Sequence, residues 1–168
     1  MLRLAAIVCA LMVSYGAMAC GVLVFGDFKG ELAQAQSVFV FRVESLELGT
    51  DSEHEGLEMT YGRIRVVETL KGKRPAFDRL ALDTLCSDIR LDVGGYYLSA
   101  TSQTGSELRV STMDVSVLDI SPEYEEGMPR RLYDSPTVET VEAYLAGAAL
   151  PSYFPGPQVV DRIHRYRP

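Results

Sequence analysis

Two cysteines are the side chains of this sequence best suited to covalent chemistry. Cys20 and Cys86 remain when an N-terminal leader, described below, takes Cys9 away. A pair of cysteines in an exported protein favours one disulfide bond, here Cys20 to Cys86. This bond would close a long loop, and the chain-entropy model gives it about 4 kcal/mol of stabilisation. The predicted role of both cysteines is therefore structural.

An acidic segment with one histidine is the second place in the sequence that has side chains able to bind a metal ion. Its charged and titratable members are Asp51, Glu53, His54, Glu55 and Glu58. Hard cations such as Ca²⁺ prefer carboxylate ligands, but this segment lacks the spacing and the turn glycine of an EF-hand loop. We expect a solvated loop here and predict no metal site.

Catalysis by an activated nucleophile needs a base close to it, and histidine is the usual base. The sequence has two histidines, His54 in the acidic segment and His164 in the tail. It contains no G-x-S-x-G, H-E-x-x-H or C-x-x-C motif and no phosphate-binding loop. We predict that the protein is not an enzyme and uses no cofactor.

The charge balance restricts the classes of partner. The chain has 23 acidic and 16 basic residues, a formal net charge of −7 at pH 7. Loss of the leader with Arg3 would make the net charge one unit more negative. Nucleic acid and anionic membrane surfaces repel an acidic protein. The expected partner is another protein, and not nucleic acid.

Residues 1–19 have the three parts of a secretory signal peptide. Arg3 supplies the positive start, residues 4–13 form an apolar run, and Ala17-Met18-Ala19 is a cleavage site of the A-x-A type. The apolar run is shorter than the ~20 residues that span a membrane. We expect cleavage before Cys20 and an exported protein, either periplasmic or secreted.

A lipoprotein is the alternative product of the same leader. An acylated Cys20 would anchor the protein to a membrane and could not pair with Cys86. Lipoprotein processing prefers leucine three positions before the cysteine, where this chain has Ala17. We expect contact with a membrane only if Cys20 is lipidated.

Short runs of β-type residues, separated by turn signals, recur up to residue 120. They are Ser37–Leu48, Tyr61–Leu70, Arg79–Thr84, Tyr96–Thr101, Glu107–Ser111 and Val115–Ile120. In the first run Phe39, Phe41 and Val43 share one face, whereas Arg42 and Glu44 share the other, as in a strand. Five or six short strands of this kind form either a β-sandwich or a small barrel.

Two helices are predicted from local signals. The first is a short helix near residues 28–35. The second, over 136–146, has Asp134 or Ser135 as its N-cap and ends at Gly147. Its apolar stripe consists of Val138, Val141, Tyr144 and Leu145.

The composition of the chain changes near residue 120. Residues 20–120 carry the β-type runs, whereas residues 121–168 are richer in proline and end in an irregular tail. We therefore predict three parts: the signal peptide over 1–19, a β domain over 20–120, and a C-terminal appendage over 121–168 that carries the second helix.

The order of these features resembles a known family. A cysteine opens the mature chain at Cys20. It is followed by Ala35-Gln36-Ser37-Val38-Phe39-Val40-Phe41-Arg42-Val43, by Val66-Val67-Glu68-Thr69-Leu70-Lys71-Gly72, by Cys86, and by Val93-Gly94-Gly95-Tyr96-Tyr97-Leu98-Ser99-Ala100. This series is similar to the netrin-like domain of tissue inhibitors of metalloproteinases, in its bacterial exported form. The likeness covers about residues 20–118.

The resemblance implies a fold and a pairing of cysteines. The fold is a five-stranded OB-like Greek-key barrel, which favours the barrel over the sandwich and makes the chain mainly β. The family pairs its N-terminal cysteine with the cysteine after the third strand, which agrees with the Cys20–Cys86 pair expected from counting.

The resemblance also implies one activity, inhibition of a zinc protease by the N-terminal amine and carbonyl of Cys20. Cys20-Gly21-Val22 lacks the second cysteine of the animal inhibitors' Cys-x-Cys opening, and Gly21 has no side chain to enter the protease pocket. We therefore expect a non-catalytic binding module of the cell envelope that recognises another protein. A metalloprotease inhibitor acting through Cys20 and Gly21 is the alternative.

Overall fold

The computed structural model describes residues 27–51, 58–83, 90–110, 115–129 and 134–155. Within them six strands and two helices follow one another along the chain. They are α1 (Phe28–Gln34), β1 (Ser37–Thr50), β2 (Glu58–Lys71), β3 (Arg79–Asp83), β4 (Tyr96–Thr101), β5 (Glu107–Val110), β6 (Val117–Asp119) and α2 (Pro136–Leu145).

The strands form one sheet in the order β5-β3-β2-β1-β4-β6. Neighbouring strands are antiparallel, except that β3 and β5 are parallel. β4 and β5 are joined by the short segment 102–106, yet β3, β2 and β1 lie between them in the sheet. The sheet accommodates this short connection by curling into a half-barrel, so that β4 and β5 approach one another.

A side chain bridges these two strands. The Gln103 amide donates to the Arg109 carbonyl (Nε2–O 2.7 Å), and its Oε1 accepts from the Arg109 N–H (2.9 Å). Gln103 follows the end of β4 by two residues, and Arg109 lies in β5. The amide thus satisfies backbone groups of β5 that a neighbouring strand would otherwise bind.

Irregular pairing between β1 and β2 helps the sheet to curl. Register shifts interrupt the ladder at three places, near Val38, Val40 and Val43. A β-bulge bends its strand and increases the local right-handed twist. Two strands of 14 residues each can therefore wrap around a small core.

The concave face of the sheet encloses the inner core, to which all six strands contribute. Phe39 and Phe41 of β1 lie at its centre. The Phe41 ring stacks on Tyr97 with a centroid distance of 5.6 Å, and the Phe39 ring lies 5.6 Å from Phe77. These contacts join β1 to β4 and to the segment before β3.

The convex face carries a second, outer core. Its strand residues are mainly alternate residues of β1 and β4, and the helices cover them with Phe28 and Leu32 of α1 and Val138 and Val141 of α2. Four consecutive residues of β1, from Val38 to Phe41, are completely buried. β1 therefore packs against the barrel interior on one face and against the helices on the other.

The predicted fold class is confirmed: the chain is mainly β, with an OB-like barrel, an N-terminal helix and a C-terminal helix packed outside it. The six described strands are within the five or six predicted from the β-type runs and exceed by one the five that the resemblance implies, because Val117–Asp119 pairs with β4 as a sixth strand. The helix predicted over 136–146 is found at Pro136–Leu145. Its stripe faces the outer core, and Gly147 follows it at φ +101°.

The start of α2 differs from the sequence expectation. Ser135 is the N-cap residue, but its side chain makes no capping hydrogen bond. Glu123 Oε1 instead accepts from the Thr137 N–H at 3.2 Å. A carboxylate suits this position because it also faces the positive end of the helix dipole. Glu123 lies 14 residues before Thr137 in the sequence, so short-range sequence patterns do not predict this cap.

Candidate functional site

The β1–β2 hairpin extends beyond the part of the barrel that β4 covers. β4 pairs with β1 only from Ser37 to Arg42. From Ser45 to Thr50, β1 continues beside Glu58–Arg63 of β2, and β3 supports β2 from the other side. We call this extension, Ser45–Thr50 with Glu58–Arg63, the hairpin arm.

A groove of about 320 Å³ lies at the base of the hairpin arm. Its lining residues are Leu46, Glu47, Leu48, Thr60, Leu82, Arg90 and Leu91. We call it the end groove. Leu82 and Leu91 belong to the inner core, and Leu46 packs against that core, whereas Leu48 is 83% exposed. The end groove is thus an apolar continuation of the barrel interior that opens to solvent.

Strand alternation and one glycine shape the end groove. Leu46 pairs with Gly62 and Leu48 with Thr60, and Thr60 in turn pairs with Leu82. Paired residues share a face of the sheet, so these side chains line the concave face. A Cβ at Gly62 would lie 2.5 Å from the Ser45 carbonyl oxygen and 2.9 Å from Leu46 Cδ2. Glycine is required there for Leu46 to lie across β2.

A turn before β4 places Leu91 on the other side of the groove. The Gly95 N–H donates to the Asp92 carbonyl at 3.0 Å, and Gly94 adopts a φ of +88°. The Asp92 N–H donates to the Tyr97 hydroxyl at 2.7 Å. Since Tyr97 is buried in the inner core, the turn is fixed to the barrel and holds Leu91 opposite the hairpin arm.

A polar cluster on the convex face holds residues 121–129, which we call the strap, against the barrel. Arg65 makes a two-pronged contact with Glu126 (2.5 and 3.0 Å) and a third with Glu44 (3.0 Å). The Tyr96 hydroxyl also donates to Glu126, at 3.1 Å, and the Arg42 guanidinium lies 5.7 Å from the Tyr96 ring centroid. The charged and polar groups of this cluster bind one another, so we assign the cluster a structural role in fixing the strap.

Mutual pairing shifts the pKa values within the cluster. Hydrogen bonds from Arg65 and Tyr96 hold the pKa of Glu126 below its usual value, against the opposing effect of desolvation. Hydrogen bonds to Glu126 and Glu44 raise the pKa of Arg65. Burial, together with the hydrogen bond to Glu126, raises the pKa of Tyr96. At neutral pH both Arg65 and Glu126, which fix the strap, are therefore charged.

Acid should weaken the strap through Glu126. A carboxyl whose pKa is lowered by folding stabilises the folded state above its unfolded pKa of about 4.3, and this stabilisation is lost as the pH falls through the folded value. We expect Glu126→Gln to reduce the free energy of unfolding at pH 7 by about 1 kcal/mol or less, since the pair is partly exposed.

Urea denaturation at a series of pH values measures this effect. The difference between wild type and Glu126→Gln should shrink from about pH 5 downward. Glu125→Gln, at the adjacent exposed carboxylate, is the matched control and should not show the same trend. A Glu126→Gln difference that stayed constant down to pH 2 would contradict this role of the ion pair.

The residues singled out by the sequence fall into two groups. Cys20, Gly21 and Cys86 lie outside the described residues, as do His54 and His164. The predicted disulfide and the N-terminal chelating group therefore stay predictions. Two members of the acidic segment are described, Asp51 just after β1 and Glu58 at the start of β2.

Two further properties apply to the residues that the structure describes. They contain no group of three or more His, Cys, Asp or Glu side chains arranged to hold a metal ion. Neither helix has the length and the apolar character needed to cross a membrane.

The end groove was not predicted from the sequence. Its one sequence signal is that Leu46 and Leu48 alternate with polar residues. This alternation is one residue out of phase with that of Phe39, Phe41 and Val43, and the register shift between Val43 and Ser45 brings both sets to the concave face. That alternation also fits a strand whose apolar face is fully covered. Among the described strands, β4 stops pairing with β1 at Arg42 and does not cover this part of β1.

Comparison with known proteins assigns this chain to no family. No protein-family model matches the chain, and no curated protein matches it either. The resemblance to the netrin-like domain therefore stays a prediction from sequence motifs.

Proposed function

We propose that the protein is a non-catalytic, exported binding module of the cell envelope that recognises another protein. The observation that carries this proposal is the end groove, where apolar side chains next to the barrel core meet solvent and Leu48 is 83% exposed. Exposed apolar surface joined to a rigid scaffold is typical of a protein-interaction site.

The form of the end groove supports a protein partner over a small ligand. Its volume of about 320 Å³ is at the lower end of the ~300–1,000 Å³ of small-molecule pockets. Leu48 projects from the hairpin arm, so only a partner that reaches beyond the groove can cover it. Full burial of one leucine contributes ~1.5–3 kcal/mol.

Capture of envelope proteins by the immobilised mature protein tests this proposal. We expect Leu48→Glu to reduce capture of the specific partner tenfold or more, because a buried leucine contributes ~1.5–3 kcal/mol and 1.4 kcal/mol is tenfold in affinity. Tyr153→Glu is the matched control, since Tyr153 is 74% exposed on the appendage. Equal capture by wild type and Leu48→Glu would contradict the proposed site.

Mass spectrometry of the protein recovered from cells that express the full chain tests export and the disulfide. Protein from the periplasm or the medium should begin at Cys20 and have a mass two hydrogens below that of the reduced form. A diacylglyceryl group on Cys20 would contradict the Cys20–Cys86 bond and would place the protein on a membrane.

One variant separates this proposal from metalloprotease inhibition. Chelation of the protease zinc needs a free amine at the first residue, so one alanine added before Cys20 should abolish inhibition without changing the fold. Capture through the end groove should be unaffected. Inhibition of a zinc metalloprotease that disappears with the added alanine would favour the inhibitor function.

A further inference from the structure

One edge of the hairpin arm has backbone groups that no other described strand binds. β2 occupies one edge of β1 along its whole length. On the other edge, β4 pairs with β1 as far as Arg42, and the turn before β4 exchanges two hydrogen bonds with Val43 (2.8 and 3.0 Å). Beyond that point, within the described residues, no strand pairs with Ser45–Thr50 on this side.

The end groove lies directly beside this open edge. Leu46 and Leu48 line it from β1, and Arg90 and Leu91, which precede the turn, line it from the opposite side. Neighbouring strands lie ~4.8 Å apart, and their alternate side chains point to the same face. A strand added along Ser45–Thr50 would therefore direct every second side chain into the end groove.

We infer that the end groove and the open edge of β1 form one site that binds an extended segment of a partner protein by strand addition. This inference rests on the proposed function and names the mode of recognition. In strand addition, main-chain hydrogen bonds provide affinity and pockets for alternate side chains provide specificity. Here the open edge supplies the main-chain groups, and the end groove supplies the apolar pocket.

Charge on the edge specifies the chemistry of the partner. Glu47 lies in this part of β1, which carries no basic residue between Arg42 and Asp51, and Glu44 just before it is already bound to Arg65. Glu47 is exposed and borders the end groove, and strand alternation directs its side chain to the face opposite to Leu46 and Leu48. The segment that fits best alternates aliphatic residues, which enter the end groove, with lysine or arginine, which lie beside Glu47.

The same charges disfavour a second copy of this chain. Antiparallel pairing of two copies of Ser45–Thr50 would bring the Glu47 side chains of the two copies close together, and the segment Ser45–Thr50 contains no basic residue. Like charges on adjacent strands are destabilising, and charged residues on an edge strand discourage pairing between edges. Two copies of the protein should therefore not pair through this edge, whereas a basic segment of a partner protein can bind there.

A seven-residue peptide of alternating valine and lysine, acetylated and amidated at its ends, is the probe. On titration of the ¹⁵N-labelled protein, amide signals of Ser45–Thr50 and of Arg90–Leu91 should shift. In hydrogen exchange, every second amide from Ser45 to Thr50 should become protected, because alternate N–H groups point to the open edge. Protection confined to other parts of the chain would overturn the inference.

Backbone methylation of the probe separates strand addition from simple apolar contact. Two further peptides carry N-methyl groups on alternate residues, one on each set of amides. Methylation of the set that faces β1 should abolish binding, whereas methylation of the outward set should leave it unchanged. Equal binding of both methylated peptides would show that no ladder forms and would overturn the inference.

A charge exchange tests the choice of partner. Glu47→Lys should weaken the valine–lysine peptide about fivefold, as expected for reversal of one cross-strand pair, and should improve binding of the matching valine–glutamate peptide. The control is Arg63→Glu, at an exposed residue of β2 on the far side of the arm from the open edge. Stronger binding of the glutamate peptide to the wild type would overturn the basic character of the segment.

Failure of this inference differs from failure of the proposed function. If Leu48→Glu abolishes partner capture but the peptides give no protection at Ser45–Thr50, the function stands and strand addition is wrong. If capture is insensitive to Leu48→Glu, the proposed site is wrong as well. Concentration-dependent protection of Ser45–Thr50 without peptide would instead identify a second copy as the occupant and overturn the inferred partner.

Discussion

Replacement of Phe41 by alanine is expected to reduce the free energy of unfolding by about 3–5 kcal/mol, the range for large-to-small changes of buried aromatic residues. Phe41 is completely buried at the centre of the inner core, where its ring lies 5.6 Å from Tyr97 and 6.1 Å from Phe39. The cavity would open in the inner core beside the neighbouring strands β1 and β4. Urea denaturation followed by circular dichroism measures the loss.

Leu48→Ala is the matched control, because it also removes an apolar side chain from β1. Leu48 is 83% exposed, so this change should alter stability by no more than about 0.5 kcal/mol. If Phe41→Ala cost less than 1 kcal/mol, the inner core would not be the main source of stability. Since domains have only 5–15 kcal/mol in total, Phe41→Ala could leave little folded protein at 37 °C.

Gly72→Ala is expected to be the most damaging single change outside the core. Gly72 follows β2 at φ +79°, and a Cβ there would overlap the Gln36 carbonyl oxygen, well inside van der Waals contact. A left-handed conformation costs an alanine ~1–2 kcal/mol, and displacement of the packed Gln36 backbone adds ~1–3 kcal/mol. The combined loss should be about 2–5 kcal/mol in urea denaturation.

Gly127→Ala separates the effect of the Gln36 contact from that of the backbone conformation. Gly127 has the same φ of +79°, but a Cβ at this position would have no atom within 4 Å. Its substitution should cost about 1 kcal/mol, from backbone strain alone. Equal losses for the two variants would mean that the approach of Gly72 to Gln36 contributes nothing.

Local patterns were sufficient to predict most elements of the fold. The alternation in β1, the alternation of leucines in β3 and the apolar stripe of α2 are each set by a few neighbouring residues. β4 was predicted with the bounds that the structure has, Tyr96–Thr101. These patterns predict the elements correctly because each element buries one face against the rest of the chain, which gives its apolar residues a regular spacing.

Features that depend on residues far apart in the sequence were not predicted. Val38 and Val40 face the outer core because α1 and α2 cover the sheet there, which strand alternation alone does not reveal. The cap that Glu123 provides for α2 joins the strap to Thr137, 14 residues further along the chain. The end groove belongs to the same class, since it exists only where β4 stops.

The double-sided burial of β1 has a consequence for how the chain reaches its folded state. Val40 pairs with Leu98, which a chain emerging N-terminus first presents much later. Until then the Val38–Phe41 run exposes apolar side chains on both faces, the type of β-rich segment that associates with other unfolded chains. Contacts so distant in sequence form slowly. We therefore expect the yield of folded protein to fall with chain concentration during refolding, because exposed copies of this run meet before Leu98 covers them.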